Sequence, residues 1–328
     1  MNKTLIQNRS TKGDAVVAAI PRACADEKAA VEFMEAQRWS KSPFCPRCAS
    51  VNVYQMKDSK TGERQANWRW LCRDCKKAKL VCQFTVRTGT VFEDSKADLR
   101  HWCYAFWRAA TSKKGVSALE IKRHTGLSYK SSLFLLNRIR HAMTDSAPGM
   151  LGPGSGIVEA DELYVGGKVR RYNLARSAPR KPKVPVLAVV ERHGSVKTRV
   201  VSNVTGKNVA TFLRASVTKN ARLMTDEHKT YVPVGREFAS HETVRHWYLE
   251  YARGDVTTNT IEGFFSIVRR GLNGIYHAVS KEHLHRYMAE FEFRYNHRGL
   301  EDGERTVAAI KASQGKRLMY RQPVQRVD

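Results

Sequence analysis

Acidic residues are scarce in this chain. Of 328 residues, 31 are Asp or Glu against 57 Lys or Arg, a formal charge of +26 at pH 7. A surplus this large argues against charge kept for solubility alone. It points instead to a polyanionic partner, because each phosphate neutralised by a basic side chain releases condensed counterions. DNA or RNA is the expected partner. Long apolar runs are also missing, and none approaches the ~20 residues that cross a bilayer. No signal-peptide pattern occupies Met1–Ala30. The expectation is no membrane partner and a cytoplasmic, nucleoid-associated protein. Internal repeats are absent too, while 42 % apolar residues suffice for real cores. Two or three folded domains are therefore expected rather than a basic tail.

Cysteine is present, seven in all. In a reducing compartment these argue for metal ligation or burial rather than disulfides. Cys45 and Cys48 form one C-x-x-C pair and Cys72 and Cys75 a second, with twenty-three residues between the pairs. Thiolates so spaced close a tetrahedral Zn²⁺ site. With all four positions taken by sulfur, such a site is structural and not catalytic. Cys24, Cys82 and Cys103 are expected to pack.

The chain divides by composition and period. Residues 1–40 read as a loose arm, without period to about residue 24, followed by a short amphipathic helix from Asp26 with Ala30, Phe33 and Met34 on one side. Residues 41–92 read as a zinc ribbon, two knuckles joined by short strands and followed by a strand-like Leu80–Val86. Residues 93–145 read as a helical region. Leu99, Trp102, Cys103, Phe106 and Ala110 follow helical spacing there, and Ser117-Ala-Leu-Glu120 has the capping-box pattern. The turn Thr125–Ser128 and a second helix from Tyr129 then complete a helix-turn-helix pattern. Its inner stripe is Ser132, Leu135, Leu136, Ile139 and Met143, and its opening turn carries Lys130, suited to DNA contact.

The Gly-, Pro- and Ser-rich stretch 144–156 marks the main boundary. Beyond it, residues 157–300 read as an α/β layer fold. Strands are expected at Ile157–Val165, Val184–Glu191, Thr198–Val204 and Arg222–Thr225, with a helix at Lys207–Lys219. Two later helices lie around Glu262 and Leu284. The second has Leu284, Tyr287, Met288, Phe291 and Tyr295 at core spacing. Residues 301–328 are set aside as a basic tail.

Three acids stand out. Asp226 follows the apolar Leu223-Met224-Thr225, and Glu262 follows it with thirty-five residues between them. Asp161 lies upstream in Val158-Glu-Ala-Asp-Glu-Leu. Three such carboxylates can hold two divalent ions that clamp the attacking and leaving oxygens of an in-line displacement at phosphate. Glu159 and Asp161 share one face of a strand and Glu162 takes the other, so residue periodicity alone leaves Glu159 and Asp161 as rivals. Arg269, two helical turns beyond Glu262, would share its face. His241 and His246 are better read as structural.

The chain resembles the bacterial insertion-sequence DDE transposases with an N-terminal zinc ribbon, the group related to the Merlin elements. The likeness rests on Cys45-Pro-Arg-Cys48, Cys72-Arg-Asp-Cys75, Val158–Lys168, Asp226, Asn259-Thr-Ile-Glu-Gly-Phe-Phe-Ser266, Gly274-Ile-Tyr-His277 and Phe291–Arg298. It implies an RNase H-like core in which Asp161, Asp226 and Glu262 are catalytic and bind two Mg²⁺ or Mn²⁺ ions. Lys130, Lys168, Arg269 and Arg270 would contact DNA phosphates, and structural Zn²⁺ would sit on the four cysteines. It further implies cleavage and joining of DNA at terminal inverted repeats, by a homo-oligomer when two ends are paired. Where many relatives carry Lys after the third acid, this chain has Arg269 and Arg270, a planar fork in place of a point charge. Some members use Asn as third ligand, which makes Asn259 a rival to Glu262. The competing functions are a catalytically silent DNA-binding regulator and a nuclease that cuts without joining.

Overall fold

The computed structural model describes residues 14–39, 42–145, 147, 149–166, 183–244 and 252–319. It forms two compact units. The first comprises the described residues of Met1–Ser112, Val116–Met143 and Gly299–Gln322; the second comprises those of Lys113–Gly115 and Thr144–Arg298.

The first unit starts with helices α1 (Ala15–Ala25) and α2 (Glu27–Trp39). The expected loose arm up to residue 24 is thus corrected from residue 15 onward. Asp14 accepts from the amides of Val16 and Val17, which caps α1, and Ile20 and Ala23 are buried. In α2, Ala30, Phe33 and Met34 are buried as the spacing predicts. The ribbon follows: strands β1 (Val53–Gln55) and β2 (Trp70–Cys72), the short helix α3 (Arg73–Lys77), and β3 (Gln83–Phe84), in an antiparallel sheet of order β1-β2-β3. Trp39 stands edge-on to Trp70 and Phe84, with centroids 5.6 and 6.0 Å away. Of the strand-like Leu80–Val86 only two residues pair.

Helix α4 (Leu99–Thr111) buries the five residues whose spacing predicts it. Its N-cap residue Asp98 makes no side-chain cap. The Glu27 carboxylate supplies one, accepting from the amides of Leu99 and Arg100 at 2.8 and 3.0 Å. Next come α5 (Ala118–Thr125) and α6 (Tyr129–Ala142). Ser117 caps α5 by accepting from the Glu120 amide, but the Glu120 carboxylate pairs with Arg108 of α4. Gly126 ends α5 at φ 72°, a left-handed position that suits glycine. The whole inner stripe of α6 is buried.

The second unit is built on a five-stranded sheet. Strands β4 (Ile157–Val165), β5 (Val184–Glu191) and β6 (Val196–Val200) run antiparallel. After α7 (Gly206–Ser216), β7 (Arg222–Thr225) returns parallel to β4; α8 (Val232–Gly235) leads to β8 (Ser240–Thr243), parallel to β7. The strand order is β6-β5-β4-β7-β8. A two-stranded hairpin, β9 (Ala252–Arg253) and β10 (Val256–Thr257), enters α9 (Asn259–Gly271), and a π turn at Leu272–Tyr276 leads to α10 (Lys281–Asn296). Alternation along the strands builds two cores. Val158, Ala160, Leu187 and Val189 pack with Phe212 and Leu213 of α7. Leu163, Val186, Ala188 and Val190 pack with Ile261, Phe264, Phe265 and Val268 of α9 and Leu284, Met288 and Phe291 of α10. Edge strand β6 is covered by α10: Asn296 bonds the Val196 backbone at 2.7 and 3.1 Å, and the half-buried Glu292 accepts from Thr198.

Residues 301 onward are not simply a tail. A capping box between Glu301 and Glu304 starts α11 (Asp302–Lys311), which buries Thr306, Ala309 and Ile310. The following segment is pinned to the first unit by Arg138, whose Nε donates to the Leu318 carbonyl, and by Lys316, whose Nζ donates to the Ala142 carbonyl.

Candidate functional site

The four cysteine sulfurs of the ribbon lie within 4.8 Å of one another. Individual separations are 3.8 Å for Cys45–Cys75, 3.6 Å for Cys48–Cys72 and 3.4 Å for Cys48–Cys75. Sulfurs bound ~2.3 Å from a tetrahedral Zn²⁺ stand about 3.8 Å apart, so the donor set fits that ion. Each knuckle turns through a residue at positive φ, Ala49 at 59° and Lys79 at 56°. Asp74 ties the second knuckle to the first by accepting from Ser50 and Asn52.

In the second unit Asp161 lies on β4 and Asp226 directly follows β7. The parallel register pairs Glu159 with Met224. Asp161 and Asp226 each lie two residues beyond that last pair, Asp226 just past the end of β7. Glu262 lies in the first turn of α9, exposed, with its Oε1 accepting from Thr258 Oγ1 at 3.0 Å. The Asp161 carboxyl is pushed up to about 7, chiefly by burial, and further by the charges of Asp226, Glu162 and Glu262. Those acids therefore crowd one electrostatic site. Among the described residues only the four sulfurs form a donor group as tight as 4.8 Å, so the carboxylates stand wider. A pair of ions a few ångströms apart can be held by a set wider than one ion needs. Carboxylate oxygens are the hard donors that Mg²⁺ and Mn²⁺ take, so the chemistry of these side chains fits such an ion.

Glu159 shares the Asp161 face but is wholly buried. It accepts from Arg192 Nε at 2.7 Å, Thr260 Oγ1 at 3.0 Å and the Ile261 amide at 2.9 Å. Its oxygens are thus engaged by protein, whereas Asp161 accepts from the amide of Glu162. Glu162, across the strand, is raised by burial and accepts from the buried Tyr231 hydroxyl at 3.0 Å. Asp226 accepts from the His228 amide at 3.1 Å. Sequence reasoning missed Arg192 and Tyr231, which sit in a hairpin turn and a short loop where no periodicity marks them.

The remaining expected residues are spread out. Arg269 and Arg270 are exposed in the last turn of α9, and Arg270 Nε donates to the Ser266 carbonyl. Asn259 is exposed at the first position of α9. Lys130 is exposed in the first turn of α6. Lys168 and His246 lie outside the described residues. His241 meets Thr225 Oγ1 at 2.9 Å and packs so closely on Gly235 that a Cβ there would come within 2.1 Å of its ring, as befits a structural histidine. No helix among the described residues is long and apolar enough to cross a membrane.

Residues 153–296 match the ISXO2-like transposase domain, and residues 25–78 match the transposase zinc-ribbon domain. A relative from Halobacterium salinarum, described as an uncharacterized protein in transposable element ISH50, is 29 % identical over 286 residues. The aligned region covers 82 % of this chain and 90 % of the relative.

Proposed function

Given that the chain belongs to the transposases in which a zinc ribbon precedes an ISXO2-like domain, we propose that it cuts and joins DNA strands at the ends of an insertion sequence with Asp161, Asp226 and Glu262. The observation behind this reading is the sheet register, in which Asp161 and Asp226 each lie two residues past the last parallel pair, together with the raised Asp161 carboxyl, on which the charges of Asp226 and Glu262 act. The strand order β6-β5-β4-β7-β8, an antiparallel meander continued by two parallel strands with helices on both faces, supports an RNase H-like core.

Asp161, Asp226 and Glu262 would hold two divalent cations, which when bound supply activation of a hydroxyl nucleophile and neutralisation of the leaving oxygen. The protein's own residues do the positioning. Asp161 is fixed by the sheet, with its Oδ1 accepting from the Glu162 amide at 2.7 Å. Thr258 orients Glu262. Arg269 and Arg270, exposed at the far end of α9, would hold DNA phosphates as guanidinium forks. Water is the nucleophile in cleavage and a DNA 3′-hydroxyl in joining, so no covalent enzyme–DNA link is required. In the first unit, α5, Gly126 and α6 form a helix-turn-helix whose second helix opens with exposed Tyr129, Lys130 and Ser131. We assign to it and to the ribbon the recognition of terminal repeats, in a homo-oligomer that pairs two ends.

The test is incubation of the protein with Mg²⁺ and DNA carrying the repeats that flank its coding region, with products resolved on a denaturing gel. Nicks ending in 3′-hydroxyls together with joined strands are expected. Tight binding with no cut strand would make the protein a regulator, and cutting without joining a nuclease.

A further inference from the structure

Helix α9 must begin at one place for Glu262 to reach the other two acids, and the chain next to it supplies one side-chain bond there, from the Asn259 amide to Thr257 Oγ1 at 3.1 Å. Its N-cap residue, Thr258, makes no side-chain bond to the helix amides and spends its hydroxyl on Glu262. The first amides of a helix lack intrahelical partners. Here one of them, Ile261 N–H, is satisfied by Glu159, an acid 102 residues earlier in the chain. The same carboxylate accepts from Thr260 Oγ1.

Glu159 is in turn held by Arg192 in the β5–β6 turn, at 2.7 Å. The other two nitrogens of that guanidinium donate to the carbonyls of Asp255 and Thr257, at 2.6 and 2.9 Å. One ion pair thus grips both the hairpin that enters α9 and the first turn of the helix. Glu159 stands two residues from Asp161 on the same face of β4, and Ile261 is the immediate neighbour of Glu262.

We propose that Glu159, held by Arg192, is a positioning residue that locks the start of α9 to β4 and thereby sets the separation of Glu262 from Asp161. The proposal rests on the reading of those two acids as metal ligands. Glu159 itself touches neither metal nor DNA. A buried carboxylate with three protein donors could be replaced by an apolar residue if stability were all it served; its placement between two ligands is what gives it a role in the reaction.

The experiment measures Mn²⁺ binding to the full chain by calorimetry for wild type, Glu159→Gln, Asp161→Ala and Leu213→Ala, alongside amide exchange of a peptide spanning 258–263. Glu159→Gln keeps an oxygen for the Ile261 amide but gives up the charge that Arg192 grips. Outer residues that orient ligands typically change metal affinity by about 10–100-fold. Glu159→Gln should weaken Mn²⁺ binding by about tenfold or more and speed exchange at 258–263. Saturating Mn²⁺ should restore DNA cleavage. Leu213→Ala, which opens the opposite core, should lower Tm and leave the affinity within about twofold. Arg192→Lys, retaining charge but not the fork, should shift affinity in the same direction by less, and it serves if Glu159→Gln fails to fold. Wild-type affinity in Glu159→Gln and Arg192→Lys, with binding lost in Asp161→Ala, overturns the proposal alone. Wild-type affinity in Asp161→Ala as well overturns the metal-site reading and the proposal with it.

Discussion

The Asp14 carboxylate accepts a hydrogen bond from the Gly303 amide at 2.6 Å, joining residues 289 positions apart. Asp14 also caps α1, so the start of the first unit and the first turn of α11 share one carboxylate. A Cβ on Gly303 would fall 2.2 Å from an Asp14 oxygen. Gly303→Ala should therefore break the shared cap and destabilise the chain by about 1–3 kcal/mol, read as a lowered midpoint in denaturant. Asp14→Ala should do the same. An unchanged midpoint in both would mean that α11 adds nothing to the first unit.

Removing the metal from the ribbon is expected to unfold it locally. The small sheet has three strands of two or three residues, too little to stand alone without a staple. Chelation, or Cys72→Ser, should release one zinc ion per chain and shift tryptophan emission as the Trp39–Trp70–Phe84 cluster opens. A chain that carries no zinc yet shows native emission would contradict the assignment.

Glu292 gives stability a pH dependence. Burial, the largest cause, pushes its carboxyl up to about 7 from an ordinary 4.5, against the lowering effect of its bonds from Thr198. The folded chain therefore holds a proton that the unfolded chain has released. Its contribution is fully present below about pH 4.5 and is lost as pH rises through about 7, by up to about 3 kcal/mol. Asp161 acts with the same sign, so the informative quantity is the difference between wild type and Glu292→Gln. Between pH 5 and 8 the wild type should lose stability relative to the variant. Parallel curves would show that Glu292 titrates normally.

How much could be read before folding is visible in the elements themselves. Long periodic segments were legible: α2, α4 and α6 bury the stripes that their spacing predicts, because burial of one face is what makes a helix of that length stable. The zinc pairs were legible because metal geometry dictates spacing. Strands β4, β5 and β7 span the residues expected from the sequence, Ile157–Val165, Val184–Glu191 and Arg222–Thr225. What could not be read depends on partners distant in sequence. Helix α1 forms because Asp14 caps it and the first unit covers it, although its residues show no clean period. Half-buried β8 is absent from the expected strands, and it forms with β7 as its parallel neighbour. Residue alternation could not rank Glu159 against Asp161, since only Arg192 and the start of α9 decide which acid is engaged.

Basic residues read as phosphate contacts carry a distinct signature. Each lost contact should lower the slope of log affinity against log salt by about 1, whatever the DNA sequence. Lys130→Ala and Arg269→Ala are expected to weaken binding in that way. A substitution at Lys130 that alters sequence preference but not the salt slope would place it against a base edge instead.

The most direct test of the central claim is the single-turnover cleavage rate, with Mg²⁺, of Asp161→Ala, Asp226→Ala, Glu262→Ala and Asn259→Ala on DNA bearing one element end. The first three should fall by about 10²-fold or more with DNA affinity retained, and Asn259→Ala should stay within about tenfold of wild type. Near-normal cleavage by Glu262→Ala, with Asn259→Ala inactive, would contradict the assignment of Glu262 as the third acid.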